Sequence, residues 1–274
     1  MTTTDSTTSA PHTATTILEV DDLAVTYGGR GNRVEAIGKI DLKVRKDEFI
    51  CIVGPSGCGK TTLLKAIAGL LPPSRGRSRL HGNVITRPPA GLAVVFQDYG
   101  RSLFPWMSVR QNVALALRRG EQGRAAARKT VTDSVAAVGL SDFIDHYPWQ
   151  LSGGMQQRVA IARALACKPE ILLLDEPFAS VDALVRSELE DLVLDVCAGY
   201  GVTALLVTHD IDEAVYMADR VVVLTKAPAT SVRKEIVVDL PRPRNQLTTK
   251  TRAEFATHRA EIYQMIVDES PAAR

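Results

Sequence analysis

The sequence predicts an α/β fold built on a buried parallel sheet, with antiparallel strands ahead of it and a helical segment inserted within it. Three stretches carry the prediction. FICIVGPSGCGKTTLLKAIAGLLPP is a short β-rich apolar run, a glycine loop and an apolar-periodic helix. ILLLDEP is a continuous apolar run ending in two acids, the pattern of a parallel strand buried on both faces. ALLVTHD is a similar apolar run, ending at a histidine. The 274 residues, 45% of them apolar, suffice for one large domain or two small ones. Aromatics are only 5%, so the core falls to Leu, Val, Ile and Ala.

Taken in order, the start MTTTDSTTSAPHTATT (residues 1–16) has neither a basic region nor an apolar core, and is expected to be a disordered tail rather than a secretion signal. Residues 17–46 read as antiparallel strands leading to the core. Phe49 to Val53 is the first buried strand, and GPSGCGKTT follows it. There Gly54, Pro55, Ser56, Gly57, Cys58 and Gly59 form a cradle whose glycines let backbone amides face the phosphates of a nucleoside triphosphate. Lys60 reaches the β and γ oxygens, Thr61 offers a hydroxyl to Mg²⁺, and Thr62 belongs to the same nucleotide-binding loop. The helix behind it carries Leu63, Leu64, Ile67 and Leu71, and Pro72 is expected to end it. Cys58 has two readings: a thiol activated by the helix N-terminus and the lysine, or a small residue tolerated at a variable position.

LAVVFQ ends a second buried strand at Gln97, read as a contact to Mg²⁺ and water. From there to about residue 168 the signals are helical, in QNVALALRRG and RKTVTDSVAAVGL. Within RSLFPWMSV, Leu103, Phe104, Trp106 and Met107 crowd around Pro105, either as a loop tucked onto the helices or as an apolar groove for a partner. LSGGMQQRVAIARAL then opens a helix with Ser152 as N-cap and Val159, Ala162, Leu165 and Ala166 at helical spacing before Pro169. A helix start with bare glycine amides is a second anion site.

In ILLLDEP, Asp175 is placed to hold Mg²⁺ and Glu176 to face the attacking water as general base. His209, at the end of ALLVTHD, is read as a γ-phosphate contact. DRVVVL is a further strand, and after KEIVVDLPRPRN comes an amphipathic helix with Phe255, Ile262 and Ile266 on one side. The formal charge of +2 selects no partner class, and Arg118 and Arg119 read as a solvated helix face. No apolar stretch approaches the length of a membrane span. The four cysteines have no CxxC spacing, which fits reduced thiols in the cytoplasm.

With these motifs in this order, residues 17–240 resemble the ATP-binding subunits of ABC transporters. The resemblance implies a P-loop (RecA-like) nucleotide-binding core, an N-terminal antiparallel β subdomain, a helical subdomain over about 98–168 and a C-terminal helical extension over 241–274. It implies ATP and Mg²⁺ as cofactors, with two ATPase domains meeting head to tail. Ser152, Gly153 and Gly154 would then grip the γ-phosphate held by the partner's lysine loop. Asp182, in ASVD, would lie at the seam, and Tyr27, in VTYGG, would stack on adenine. The signature reads LSGGM, with Met155 where Gln is more usual, and ASVD stands for the commoner SALD; Ser152 and both glycines are retained.

Further implied are a second copy of the chain, transmembrane permease subunits that place a short helix against residues 101–109, and indirectly an extracytoplasmic solute-binding protein. The chain would sit peripherally on the cytoplasmic face of the cell membrane, with no nucleic acid as partner. FQDYGRSLFPWMSVRQNV and the tail LPRPR resemble the importer group for nitrate, aliphatic sulfonates and taurine. The alternative is an ATPase with the same signature that acts on DNA or ribosomes. Those carry long coiled-coil or zinc insertions, or two such domains, and the gap here between lysine loop and signature is short. No NKxD-type motif points to a GTP switch.

Overall fold

A computed structural model of the chain describes residues 15–28, 32–117 and 123–269. The expected tail lies outside these up to residue 14, as do Arg118 and Arg119. Ten strands form one mixed sheet: β1 Thr16–Tyr27, β2 Val34–Arg45, β3 Phe49–Val53, β4 Arg75–Leu80, β5 Asn83–Val84, β6 Leu92–Val95, β7 Ile171–Asp175, β8 Thr203–Val207, β9 Arg220–Leu224 and β10 Thr230–Val237. Their order is β5-β4-β1-β2-β10-β9-β3-β8-β7-β6. The block β9-β3-β8-β7-β6 is parallel throughout, while β1 pairs antiparallel with both β2 and β4. β1 begins at Thr16, one residue inside the segment read as tail.

The apolar runs form strands because period-two alternation lets both faces be buried. Cys51, Val53, Leu172, Leu174, Leu206 and Val223 face one core, shared with the helices of the second half of the chain. Their neighbours Ile50, Ile52, Leu173, Leu205 and Val222 face the other, shared with β1, β2 and the first helix. Each fully buried aliphatic side chain contributes about 1.5–3 kcal/mol, and a one-residue slip would move every one of them to the wrong face. The register is therefore tightly held. It sets Ile52 beside Val207, Val207 beside Asp175, and Leu174 beside Val95, so the C-terminal ends of four strands share one edge.

The eight helices are α1 Lys60–Ile67, α2 Tyr99–Ser102, α3 Val109–Ala114, α4 Arg124–Ala137, α5 Gly153–Ala166, α6 Ala183–Tyr200, α7 Ile211–Met217 and α8 Ala253–Glu269, among the described residues. α1 stops earlier than expected. Gly69, at φ 72°, closes it with Leu70 N–H on the Lys65 carbonyl and Gly69 N–H on the Ala66 carbonyl. That left-handed glycine cap, not Pro72, ends the helix. QNVALALRRG is helical only to Ala114, in a short helix opened by a Ser108–Gln111 capping box. α5 packs against α3 and α4. α8 buries Phe255 and Ile262 and packs on α7 and β9.

Where β2, β9 and β10 meet, Arg220 is held by both oxygens of Glu48 at 2.8 and 2.9 Å and by Glu235 at 2.5 Å. The side chains of Arg220 and Glu48 are 11% and 9% exposed. Glu48→Ala would leave a largely desolvated guanidinium short of its main partner, a change worth about 3 kcal/mol. Urea unfolding of this variant checks it; a loss below about 1 kcal/mol would mean the pair is solvated and of surface strength.

Candidate active site

The lysine loop begins where β3 ends. Gly57 and Gly59 hold φ 76° and 93°, in the left-handed region that side chains resist. Gly59 is the N-cap of α1 and supplies no side-chain cap, so the first-turn amides stay open to an anion. Lys60 is 7% exposed and donates to the carbonyls of Gly54 at 3.0 Å and Pro55 at 3.3 Å. Among the described residues no carboxylate lies within ion-pair distance of it. An ammonium has three N–H bonds, so this buried cation keeps donor capacity for a phosphate. Ser56 and Gly57 are exposed. Tyr27, at the end of β1, brings its hydroxyl within 3.1 Å of Thr62 Oγ1.

The Cys58 thiol is 1% exposed. Burial raises its pKa, outweighing the lowering by Lys60. This agrees with the reading of Cys58 as a small residue tolerated in the loop: the local positive charge is present, but desolvation of a thiolate dominates.

Beside the loop, Thr61 Oγ1 donates to Asp175 Oδ1 at 2.9 Å. Asp175 is 3% exposed, and its carboxyl is raised above the ordinary range first by burial and also by the charge of Glu176. Glu176 itself holds φ 44°, unusual for a residue with a Cβ, and its N–H donates to the Val207 carbonyl at 2.9 Å. Strain of this kind persists where surrounding structure fixes it. Its Oε2 meets His209 Nδ1 at 3.1 Å and Gln97 Nε2 at 3.4 Å. An ionised carboxylate can only accept, so this contact assigns the imidazole proton to Nδ1.

The turn under His209 rests on buried groups that sequence reasoning missed. Thr208 Oγ1 donates to Glu213 Oε2 at 2.6 Å and accepts from Asp210 N–H at 3.0 Å. Asp210 caps α7 through the N–H groups of Asp212 and Glu213. The one local signal is Asp210 followed three residues later by Glu213, an N-terminal helix pattern.

The second cradle stands apart. Ser152 caps α5 by accepting from Met155 N–H at 3.3 Å. Ser152 and Gly153 are exposed, whereas Gly154 is buried against α6. Asp182 caps α6, accepting from Leu184 and Val185 N–H at 3.1 Å each. Among the described residues no hydrogen bond joins Ser152, Gly153, Gly154 or Asp182 to residues 54–62. The structure thus gathers Tyr27, Lys60, Thr61, Thr62, Gln97, Asp175, Glu176 and His209 at one sheet edge, while Ser152, Gly153, Gly154 and Asp182 share no hydrogen bond with the lysine loop among the described residues.

A family model described as ABC transporter matches residues 37–179. The chain is 45% identical over 234 residues to a bicarbonate transport ATP-binding protein of Synechocystis sp., covering 85% of this chain and 35% of that protein. It is 44% identical over 246 residues to a nitrate import ATP-binding protein of Synechococcus elongatus, covering 89% and 37%. The chain thus spans little more than a third of the length of these relatives. A solved dimeric ATP-binding cassette in a post-hydrolysis state, bound to ADP and Pi, is similar at TM-score 0.70 and 29% identity, over 81% of this chain and 99% of that one.

Glu213 makes this region sensitive to pH. Burial, with the charges of Asp210 and Glu190, raises its carboxyl from 4.5 to about 7, against lowering by Thr208 and Arg186. Between those values the folded chain keeps a proton that the unfolded chain has released. The stabilisation is complete below the unfolded pKa and is lost as pH rises through the folded one. Relative to Glu213→Gln, the parent should lose on the order of 2 kcal/mol between about pH 5.5 and about pH 8. Urea unfolding at both pH values checks the slope; a constant difference between the two proteins would contradict it.

Proposed function

The chain belongs to the ABC transporter family of ATP-binding domains, and from that membership we propose that it is the ATP-hydrolysing, energy-coupling subunit of an importer. The observation that carries the proposal is the meeting of His209 and Gln97 on Glu176, next to the Asp175–Thr61 pair. Lys60 exchanges the carbonyls of Gly54 and Pro55 for β- and γ-phosphate oxygens, a stronger, charge-assisted bond. The amides of residues 56–59 and the start of α1 hold the remaining oxygens, and the Tyr27 ring stacks on the adenine.

Mg²⁺ fits the residues present. The Thr61 hydroxyl, the Asp175 carboxylate and the Gln97 side-chain carbonyl are hard oxygen donors. Asp175, whose charge is disfavoured by burial, gains a counter-charge from such an ion. Among the described residues no group of three or more His, Cys, Asp or Glu side chains could hold a metal alone, which suits an ion that keeps waters and shares phosphate oxygens. When bound, Mg²⁺ supplies positive charge against the charge that develops on the transferring phosphoryl oxygens. Glu176 Oε2 accepts the proton of the attacking water. His209 Nδ1–H holds that carboxylate in place, and with a proton on Nε2 as well the ring donates to a γ-phosphate oxygen.

Two copies meet head to tail in this reading, and the similar solved cassette is dimeric. The exposed Ser152 and Gly153, with Gly154, take the γ-phosphate of the partner's lysine loop, and Asp182 lies at the seam. One chain supplies two half-sites, and a two-fold axis completes both. The ATP-binding domain comprises residues 17–240, with 98–168 as its helical insertion and 241–274 as an extension.

The permease contact falls on aromatics of the insertion. Trp106 is 66% exposed and packs edge-on to Phe104, and Trp149 is 65% exposed and stacks on Tyr147. Among the described residues no helix is long and apolar enough to cross a membrane. Attachment to the cytoplasmic face is through the permease, which an extracytoplasmic binding protein loads. The names of the relatives support a nitrate- or bicarbonate-type cargo; sulfonates and taurine rest on the motif resemblance alone.

Glu176→Gln tests the reading. It keeps the shape of the side chain and loses the proton acceptor, so MgATP should still bind while hydrolysis falls about 10²- to 10⁴-fold. Lys60→Ala should instead weaken binding by about 1.5–3 kcal/mol. Equilibrium binding and steady-state phosphate release separate the two. Hydrolysis by folded Glu176→Gln at the parent's rate would remove Glu176 from the role of base.

A further inference from the structure

The first turn of α6 touches both halves of this chain's chemistry. Asp182 caps it, and the Asp182 carbonyl accepts from Arg186 N–H at 2.8 Å. Val185, in the same turn, is packed hard against the signature: a Cβ added at Gly154 would lie 2.4 Å from Val185 Cγ1. Arg158 of α5 donates to Glu188, half a turn further on, at 3.1 Å. Whatever binds Ser152, Gly153 and Asp182 therefore bears on one turn of helix.

The Arg186 side chain connects that turn to the other half. Nη1 donates to Asp210 Oδ2 at 3.1 Å, and Nε lies 3.8 Å from Glu213 Oε1. Nε is buried and makes no hydrogen bond among the described residues. Asp210 follows His209 in the chain, and Glu213 holds Thr208, which precedes it. Asp210 is thus hydrogen-bonded to this guanidinium, while Glu213, which holds Thr208, lies within ion-pair distance of it without a hydrogen bond. A movement of about 1 Å would bring Nε into bonding range of Glu213.

We infer that Arg186 is a positioning residue coupling the two half-sites of one chain: seating of a partner's phosphate on the signature shifts the first turn of α6, and Arg186 passes that shift to the turn that holds His209 against Glu176. The inference rests on the ATPase reading above. It accounts for the orphaned Nε, which a purely structural ion pair leaves unexplained. The Arg186–Asp210 pair is about one-third exposed on each side, so its loss leaves the fold standing.

The test uses the full chain as Arg186→Gln, as Asp210→Asn, which keeps the α7 cap, and as the double variant. Each single change should lower kcat about 10- to 100-fold, with MgATP affinity within about two-fold of the parent. The double variant should be no slower than the slower single one, because both break the same link. Arg186→Lys, which keeps a charge for Asp210 but no fork, should fall between parent and Arg186→Gln. Should Arg186→Gln not fold, Asp210→Asn carries the same expectation. Single variants turning over at the parent's rate, or losses that multiply in the double variant, would overturn the coupling while leaving the ATPase reading intact. A parent chain that neither binds nor hydrolyses MgATP would overturn both.

Discussion

The register of the parallel strands is the constraint on which the rest of this molecule depends. β3, β8, β7 and β6 are buried on both faces, so each is locked to its neighbours by side chains that have no alternative place to go. Their C-terminal ends consequently arrive at one edge, and each delivers a different group there. β3 delivers the lysine loop, β7 the Asp175–Glu176 pair, β8 the Thr208–His209 turn and β6 Gln97. No single contact in the site is strong. The Thr61–Asp175 and His209–Glu176 distances are ordinary hydrogen bonds, and what makes them dependable is the sheet beneath them.

That same constraint limits what one chain can do. The signature helix starts from a different part of the molecule, and its open amides are not joined to the lysine loop by any hydrogen bond among the described residues. In the proposed reading a second copy of the chain brings the two cradles together. The first turn of α6 gives the arrangement its internal logic. It carries Asp182 at its cap, packs on Gly154 through Val185, and reaches the His209 turn through Arg186. Glu176, held at φ 44° where the chain leaves β7, sits at the other end of this connection.

Much of this was legible in the sequence because phosphate chemistry is local. Residues 54–62 bring strand end, glycines, lysine and hydroxyl together within nine positions, and apolar runs ending in Asp175 or His209 announce buried parallel strands. What stayed hidden was tertiary. Leu71 fits the helical period and Pro72 looks like a stop, yet Gly69 ends α1 because a left-handed glycine satisfies its last carbonyls first. Cys58 has a lysine and a helix N-terminus beside it, and its burial, which the chain neighbours do not report, decides for the inert small residue. Arg186, Asp210 and Glu213 come from two helices, and no periodicity in either reports that they meet.

The central claim is that each site is assembled from two chains, and mixing two differently damaged chains tests it most directly. Lys60→Ala removes the lysine from one half-site, and Ser152→Arg, at an exposed helix cap, blocks the other. A heterodimer of the two concentrates both defects in one composite site and leaves its second site whole. Each variant alone should be close to inactive, and the mixture should recover part of the parent's ATP hydrolysis. Heterodimers that form, as co-purification of two tags would report, but recover no activity would contradict the account.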